Sequence, residues 1–372
     1  DSVTTNTTDT TANLAGATFT DVQALTIAMG ELNFDSSADI TGADLETVTV
    51  TGSGTFDLNG NTITGDGTNR VTLDASALEG VVTMALDGTT DAVAVASTGT
   101  AADAVSIDGI SGSTGGFDLS TNAGSDTVTV TTNGDGATAS FSINGGTGTD
   151  TLRIADDVTL GDSTVTLTSI EILDFEEDGT VSSDLVSGKA FIIDTDGTTA
   201  LDMSVEVDGL TIDLSGLAFA TNAGEAGDNT IVDGSANALS LDISGSSIAD
   251  EITGGTAADV ISGGGGVDTI TGGAGADVIT LTETTAAADV LIYAEEGAAN
   301  ADTVTGFTAV AADDVIHLDV SALNGGDIMD TEGTVISAAT THTVVEYTVG
   351  TALASDTAEV SIIKVTNTTG ID

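Results

Sequence analysis

The chain has 372 residues, and its 59 Asp and Glu residues outnumber four Lys and Arg, which gives a formal net charge of −55. This charge argues against nucleic acid and anionic membranes as partners, because both bind basic surfaces. The absence of Cys excludes disulfides and thiolate metal sites, and the absence of Pro means that Gly, Asn and Asp must make the turns.

The first part of the chain is predicted to be β-rich. Short runs in which Thr alternates with an aliphatic residue recur between Gly- and Asp-containing turns, which is the pattern of half-buried strands. The clearest runs are TVTV at 47–50, VTMAL at 82–86, TVTVT at 127–131, STVTLT at 163–168 and LTIDL at 210–214. Residues 20–30 are the one segment whose pattern suggests a short helix.

A single nine-residue segment, GGTGTDTLR, lies at 145–153. Gly occupies its first, second and fourth places, where it permits turns with positive φ. Asp150 stands at the sixth place and Leu152 at the eighth. We use this segment to divide the first part of the chain into a β-rich region at 1–144 and a second β-rich region at 145–235.

Four more segments of this kind, GSSIADEIT, GGTAADVIS, GGGGVDTIT and GGAGADVIT, cover 245–280 without a gap. The eighth place is always Ile, and the sixth place is always Asp: Asp250, Asp259, Asp268 and Asp277. If two nonapeptides form one coil, Asp250 stacks over Asp268 and Asp259 stacks over Asp277. Carboxylates are ligands of hard divalent cations, so these columns predict ions between the coils.

These nonapeptides resemble the RTX repeat G-G-x-G-x-D-x-U-x, a signature of calcium-binding parallel β-helices. The resemblance implies that Ca²⁺ lies between successive turns, held by Asp carboxylates and by carbonyls of the Gly-rich turns. The implied ligands are the four Asp residues above with Gly254, Gly263, Gly265, Gly272 and Gly275, and further candidates are Asp150 and Asp302. Ala257 and the sequence GSSIAD depart from the pattern, so the first coil is expected to bind less tightly or to cap the roll.

The segment at 297–323 is similar to the one that follows many RTX β-rolls. Asp302, Phe307, Asp313 or Asp314, Ile316 and Leu318 fit that pattern, and Leu323 would pack against the end of the roll. We therefore expect an RTX calcium roll at 236–300 and a C-terminal β cap at 301–372. The predicted fold class is all-β, a parallel β-roll or β-solenoid with an additional β-rich solenoid or sandwich region.

Catalysis is not predicted. The two histidines, His317 and His342, do not form an HExxH zinc motif, and the abundant acidic pairs are simply explained as surface residues or calcium ligands. No stretch reaches the ~18 apolar residues of a transmembrane helix. An alternative explanation of the charge is that the acidic residues merely confer solubility or halophilic adaptation.

The nonapeptide at 145–153 and the later run IEILDF at 170–175 together resemble large RTX surface-layer proteins of Gram-negative bacteria. This resemblance implies a structural protein that is exported by type I secretion, folds on calcium and assembles with other copies of itself into an extracellular surface layer. Cell-surface polysaccharide is a second partner that it allows. The alternative is an RTX adhesin or biofilm-matrix protein that binds carbohydrate or a cell surface.

Overall fold

The fold is described from a computed structural model of the chain. The structure describes residues 2–6, 11–12, 18–29, 31, 33–35, 39–58, 63–64, 71–87, 93–108, 117–131, 141–155, 159–160, 165–195, 201–220, 228–285, 287–293, 302–307, 314–318, 327–329, 335–337 and 364–366. Two compact units are present. Unit 1 comprises Asp1–Leu185, Phe191–Leu201 and Ala220–Gly224, and unit 2 comprises Val186–Ala190, Asp202–Phe219 and Glu225–Asp372.

Unit 1 is built from short strands. They are β1 (Ser2–Asn6), β2 (Thr11–Ala12), β3 (Thr18–Phe19), β4 (Ala24–Ala28), β5 (Asn33–Asp35), β6 (Ile40–Gly42), β7 (Thr47–Gly52), β8 (Phe56–Asp57), β9 (Ile63–Thr64), β10 (Val71–Leu78), β11 (Val82–Asp87), β12 (Val93–Ser97), β13 (Ala104–Asp108), β14 (Phe117–Ser120), β15 (Thr127–Val130), β16 (Phe141–Asn144), β17 (Thr151–Ile154), β18 (Thr159–Leu160), β19 (Val165–Thr168), β20 (Ile172–Phe175), β21 (Gly179–Ser182) and β22 (Ile192–Thr195). One helical turn, α1 (Ser183–Val186), follows β21.

The strands of unit 1 form the coils of a parallel β-solenoid. One sheet has the order β1-β4-β7-β10-β12-β14-β16-β19, another contains β2-β5-β8-β11-β13-β15-β17-β20-β22, and β3-β6-β9 form a short third sheet. Neighbours in each sheet come from successive coils, so inward residues stack in register. Val128, Leu152 and Leu173, for example, are paired across β15, β17 and β20 and are all buried. The region that the sequence left open as solenoid or sandwich is therefore a solenoid.

Unit 2 is a second parallel solenoid. Its strands are β23 (Asp202–Glu206), β24 (Thr211–Asp213), β25 (Ala218–Phe219), β26 (Asn229–Asp233), β27 (Asp242–Ser244), β28 (Ala249–Thr253), β29 (Val260–Ser262), β30 (Thr269–Thr271), β31 (Val278–Thr280), β32 (Val290–Tyr293), β33 (Thr303–Thr305), β34 (Val315–Leu318), β35 (Asp327–Met329), β36 (Val335–Ser337) and β37 (Lys364–Thr366). One sheet contains β23-β26-β28-β30-β32-β34, the other is β24-β27-β29-β31-β33-β37, and β35 pairs with β36 in antiparallel fashion.

The nonapeptides supply the tightest coils of unit 2. Each contributes one strand of three to five residues, and the strands of alternate nonapeptides pair across 18 residues, as in Ile252 with Ile270 and Ile261 with Ile279. These four Ile side chains are completely buried. The fold class predicted from the sequence, an all-β parallel β-roll and solenoid, is confirmed.

The strand predictions are also confirmed, because the five alternating runs coincide with β7, β11, β15, β19 and β24. The short helix suggested near residues 20–30 is wrong. Residues Ala24–Ala28 form strand β4, in which Leu25 and Ile27 are buried and their neighbours are only partly buried. That alternation has the period of a strand, and β4 pairs in parallel with β1 and β7.

Candidate metal centre

The Asp residues at the sixth place of the nonapeptides form two columns in unit 2. The backbone N–H of Asp250 donates to Oδ1 of Asp268 at 3.0 Å, and that of Asp259 donates to Oδ1 of Asp277 at 2.8 Å. All four side chains are buried. The stacking predicted from the 18-residue spacing is therefore confirmed.

Both columns continue beyond the nonapeptides. The N–H of Asp268 donates to Oδ1 of Asp289 at 3.0 Å, and Asp289 donates in the same way to Asp314 at 3.1 Å. In the other column, Asp277 donates to Oδ1 of Asp302 at 2.9 Å. We call the first column ladder A (Asp250, Asp268, Asp289 and Asp314) and the second ladder B (Asp259, Asp277 and Asp302).

The second carboxylate oxygen, Oδ2, distinguishes two kinds of turn. In the first two nonapeptides it closes the turn, since the N–H of Ser246 donates to Asp250 Oδ2 at 2.8 Å and that of Gly255 to Asp259 Oδ2 at 2.6 Å. In the third and fourth nonapeptides, Oδ2 of Asp268 and of Asp277 is buried and accepts no hydrogen bond from the described residues. A buried carboxylate oxygen without a partner is costly unless a cation binds it.

The backbone explains this difference. The residue at the second place, Gly264 or Gly273, has a φ of 101° or 88° in the third and fourth nonapeptides, whereas Ser246 and Gly255 do not have positive φ. Among the four nonapeptides, the left-handed conformation occurs in the two turns in which Oδ2 accepts no hydrogen bond from the described residues. Gly266 and Gly275, at the fourth place, also have positive φ, of 125° and 138°.

Backbone carbonyls approach the same carboxylates. A Cβ added at Gly254 would lie 2.1 Å from the carbonyl oxygen of Gly272 and 2.7 Å from Oδ2 of Asp259, so it would fill the space between them. At Gly263 and Gly272, an added Cβ would lie 2.3 Å from Asp268 Oδ2 and 2.5 Å from Asp277 Oδ2. Glycine is therefore required for the close approach of a carboxylate to the turn of its own nonapeptide.

This arrangement fits a hard divalent cation. The donor atoms are carboxylate and carbonyl oxygens, which Ca²⁺ prefers, and its six to eight ligands are commonly drawn from both kinds. Within the described ranges, no three His, Cys, Asp or Glu side chains are grouped so that they could hold a metal by themselves. The carboxylates are instead spaced one per coil in each ladder, and the candidate ligand set combines them with turn carbonyls.

Electrostatics favours cation binding. Burial, together with repulsion from the carboxylate of the next coil, raises the pKa of Asp250 to about 8 and the pKa values of Asp268 and Asp277 to about 7. Burial likewise raises the pKa of Asp289 to about 6. A column of like charges must be neutralised near neutral pH by protons or by a cation, and a divalent cation between coils neutralises two carboxylates at once.

Most of the predicted site residues lie at the two ladders, but Gly265 does not. Asp250, Asp259, Asp268, Asp277 and Asp302 belong to the two ladders, and Gly254, Gly263, Gly272 and Gly275 lie in the turns beside them. Gly265 does not approach a carboxylate in the same way, because an added Cβ would meet no atom closer than 3.9 Å. Its N–H donates instead to the carbonyl of Ser246 at 3.0 Å.

Asp150 lies in unit 1, away from the nonapeptide block along the chain, and its Oδ1 accepts the N–H of Asp126 at 2.9 Å. Sequence reasoning missed Asp289 as a ladder residue and left Asp314 as one of two choices. A weaker signal was present, namely an Asp two residues before an inward aliphatic residue, here Leu291 and Ile316. Asp313, Leu323 and His342 lie outside the described residues, and His317 is half-buried in β34.

Comparison with known proteins bears on this site. The family model of the RTX calcium-binding nonapeptide repeat matches the chain in four copies at residues 244–279. No curated protein and no solved structure gives a match. Among the residues that the structure describes, no helix is both long and apolar enough to cross a membrane.

Proposed function

We propose that this chain, an RTX repeat protein whose β-roll binds Ca²⁺, is a secreted structural protein that folds on calcium and assembles with other copies into an extracellular surface layer. The observation that carries the proposal is the pair of carboxylate ladders. Each nonapeptide carries a buried Asp, and in the third and fourth nonapeptides one oxygen of that Asp has no hydrogen-bond partner among the described residues. Asp268 and Asp277 are the principal ligands in this proposal.

Calcium acts on the folding equilibrium. The ladders exist only when the coils are stacked, so Ca²⁺ binds the folded chain in preference to the unfolded chain. One such site stabilises the fold by about 2.7 kcal/mol when free calcium is 100-fold above its dissociation constant. When several such sites are empty, at the low calcium of a cytoplasm, the chain stays unfolded. When calcium outside the cell fills them, the chain folds. Such a chain can be exported unfolded.

Assembly follows from charge and surface. With a net charge of −55, copies of the chain repel one another until cations neutralise them, and a divalent cation can also bridge carboxylates of two copies. Val260 and Val278 are adjacent on β29 and β31, and both side chains are exposed. This aliphatic pair supports the proposal as a contact that becomes effective once Ca²⁺ bridges carboxylates of two copies. RTX repeats are structural modules, and we assign the chain no catalytic role.

The test is a calcium titration, from chelator to about 10 mM, followed by far-UV circular dichroism and by light scattering after size exclusion, with Mg²⁺ as the control. We expect β structure to appear with Ca²⁺ at far lower concentration than with Mg²⁺, followed by large ordered assemblies. Folding into a stable monomer would instead favour the adhesin. A chain that is fully folded in chelator and unchanged by calcium contradicts the calcium mechanism.

A further inference from the structure

The nonapeptide turn recurs in unit 1, where the coils are longer. Residues Gly146 and Gly148 have φ values of 91° and 142°, close to the 88° and 138° of Gly273 and Gly275 in the fourth nonapeptide. One coil earlier, Asn122 and Gly124 stand at the same two places with φ values of 61° and 146°. The segment TNAGSD at 121–126 therefore forms the same kind of turn as GGTGTD at 145–150.

The hydrogen bonds between these two turns match those of the calcium roll. The residue at the third place, Thr147, donates its N–H to the carbonyl of Asn122 at 2.8 Å, as Gly265 donates to Ser246 at 3.0 Å. The sixth residue, Asp126, donates to Oδ1 of Asp150 at 2.9 Å, as Asp250 donates to Asp268. The local geometry is thus reproduced, although the two Asp residues are 24 positions apart instead of 18.

These contacts form a third column, ladder C, in unit 1. The N–H of Val82 donates to Oδ1 of Asp103 at 2.7 Å, that of Asp103 to Asp126 at 2.7 Å, and that of Asp150 to Glu171 Oε2 at 2.8 Å. The column ends at Glu171, which extends the series of carboxylates by one coil.

The unused oxygens of ladder C point to a ligand. Asp126 and Asp150 are each 1% exposed, and their Oδ2 atoms are buried and accept no hydrogen bond from the described part of the chain. The Thr121 hydroxyl lies near Asp126, but it donates its one proton to the carbonyl of Gly145 at 2.9 Å, so it offers the carboxylate no second donor. A Cβ added at Gly145 would lie 2.1 Å from the carbonyl oxygen of Ser169 and 2.6 Å from Asp150 Oδ2.

We propose that the turns at 121–126 and 145–150 of unit 1 hold a divalent cation, best suited to Ca²⁺, with Asp126 and Asp150 as carboxylate ligands and carbonyls of the adjoining turns completing the shell. The family model covers residues 244–279 and does not reach these turns. The site requires a hard cation, because the nearby donors are oxygens. It is independent of surface-layer assembly and of the sites in unit 2.

The test measures bound Ca²⁺ per full-length chain by equilibrium dialysis with metal analysis. The double variant Asp126→Asn with Asp150→Asn is expected to lose at least one Ca²⁺ per chain, while Asp268→Asn with Asp277→Asn loses a different set, so that the losses add in the quadruple variant. Asp118→Asn, an exposed residue of β14, is the control and should lose none. An unchanged stoichiometry in the first variant overturns the proposal and leaves the sites of unit 2 unaffected.

Thermal unfolding separates a lost ligand from a damaged fold. Asn keeps the Oδ1 acceptor and removes a buried charge, so at the lowest calcium concentration at which the parent is folded the unit 1 double variant should unfold at the same temperature as the parent or higher. As calcium is raised further, the unfolding temperature of the variant should increase less than that of the parent, because one site fewer binds. An equal decrease at every calcium concentration would show that Asp126 and Asp150 are structural only, and would also reject the proposal.

Discussion

The two carboxylate oxygens of a ladder Asp have different roles. Oδ1 accepts the N–H of the Asp in the preceding coil, which fixes the register between coils, and Oδ2 faces the turn of its own nonapeptide. Where the turn provides an N–H, as at Ser246, Oδ2 is satisfied without a metal. Where the second place is left-handed, Oδ2 is available for a cation. Among the four nonapeptides, these two states accompany the two conformations of the second residue.

Replacement of Asp268 by Asn tests this distinction. The variant should lose about 2.7 kcal/mol of unfolding free energy at calcium 100-fold above the dissociation constant, because one site is removed. Asp250→Asn should lose less, since Oδ2 of Asp250 already accepts the N–H of Ser246. Denaturant titrations at this calcium concentration measure both, with exposed Asp242→Asn as the control. Equal losses for Asp250 and Asp268 in calcium would contradict the two-state description of Oδ2.

Replacement of Gly273 by Ala tests the left-handed turn. Gly273 has a φ of 88°, and an added Cβ would lie 2.2 Å from the carbonyl oxygen of Gly255, so the turn must open. We expect a loss of more than about 1 kcal/mol of stability and weaker calcium binding. Gly265→Ala is the matched control, because it has open space and no positive φ. If both variants bind calcium like the parent, the turn conformation is unimportant.

The raised pKa values predict an unusual pH dependence without calcium. Asp268 and Asp277 have pKa values of about 7 in the folded chain, well above the ordinary value, because of burial. At pH values between the ordinary pKa of an Asp, 3.8, and the folded-state pKa of about 7, the folded chain binds more protons than the unfolded chain. The stability that this provides is fully present below about pH 4 and is lost as the pH rises through 7. The folded fraction in chelator, measured by far-UV circular dichroism, should therefore rise from pH 8 to pH 5. A fall over that range would contradict the burial of charged carboxylates.

At the scale of the strand, each nonapeptide buries one Ile, and the residues on either side of it are exposed or partly exposed. The buried Ile residues stack across 18 positions and form the core of the roll. Ile270→Ala should cost about 2–5 kcal/mol, the range for truncating a buried aliphatic side chain. The control is Val267→Ala, at a side chain that is 54% exposed, which should cost little. Chemical denaturation in saturating calcium measures both. Similar losses would mean that the Ile column is not the core.

The nonapeptide turns show which parts of the site the sequence could predict. The four tandem turns were predictable because Asp and Ile recur at fixed places with strict nine-residue spacing. The turn at 121–126 was missed because Thr121 and Asn122 replace the two leading glycines and because its coil spans 24 residues. Asn tolerates the left-handed region better than most residues, so Asn122 adopts a φ of 61° where the repeat has Gly. The physical requirement is a conformation, and the motif records only its commonest residue.

For the whole molecule, the net charge of −55 sets the behaviour in solution. Part of the negative charge is internal, on the buried Asp residues of ladders A, B and C. The rest lies on the surface, where it keeps copies apart and where each bound cation reduces repulsion. In the proposed function, calcium therefore acts at two levels. Internal sites stabilise the coils, and we propose that surface binding permits contact between molecules.

If calcium bridges two copies, assembly should respond differently to Ca²⁺ and to a salt that only screens surface charge. High NaCl screens surface repulsion but cannot link two carboxylates, whereas Ca²⁺ can do both. With internal sites already filled by a low calcium concentration, added NaCl should leave the protein monomeric, and further calcium should produce large particles by light scattering. Val260→Ser with Val278→Ser, at the exposed pair on β29 and β31, should raise the calcium needed for assembly without changing the melting temperature. Assembly driven equally well by NaCl would show that screening alone is sufficient and that calcium does not bridge the copies.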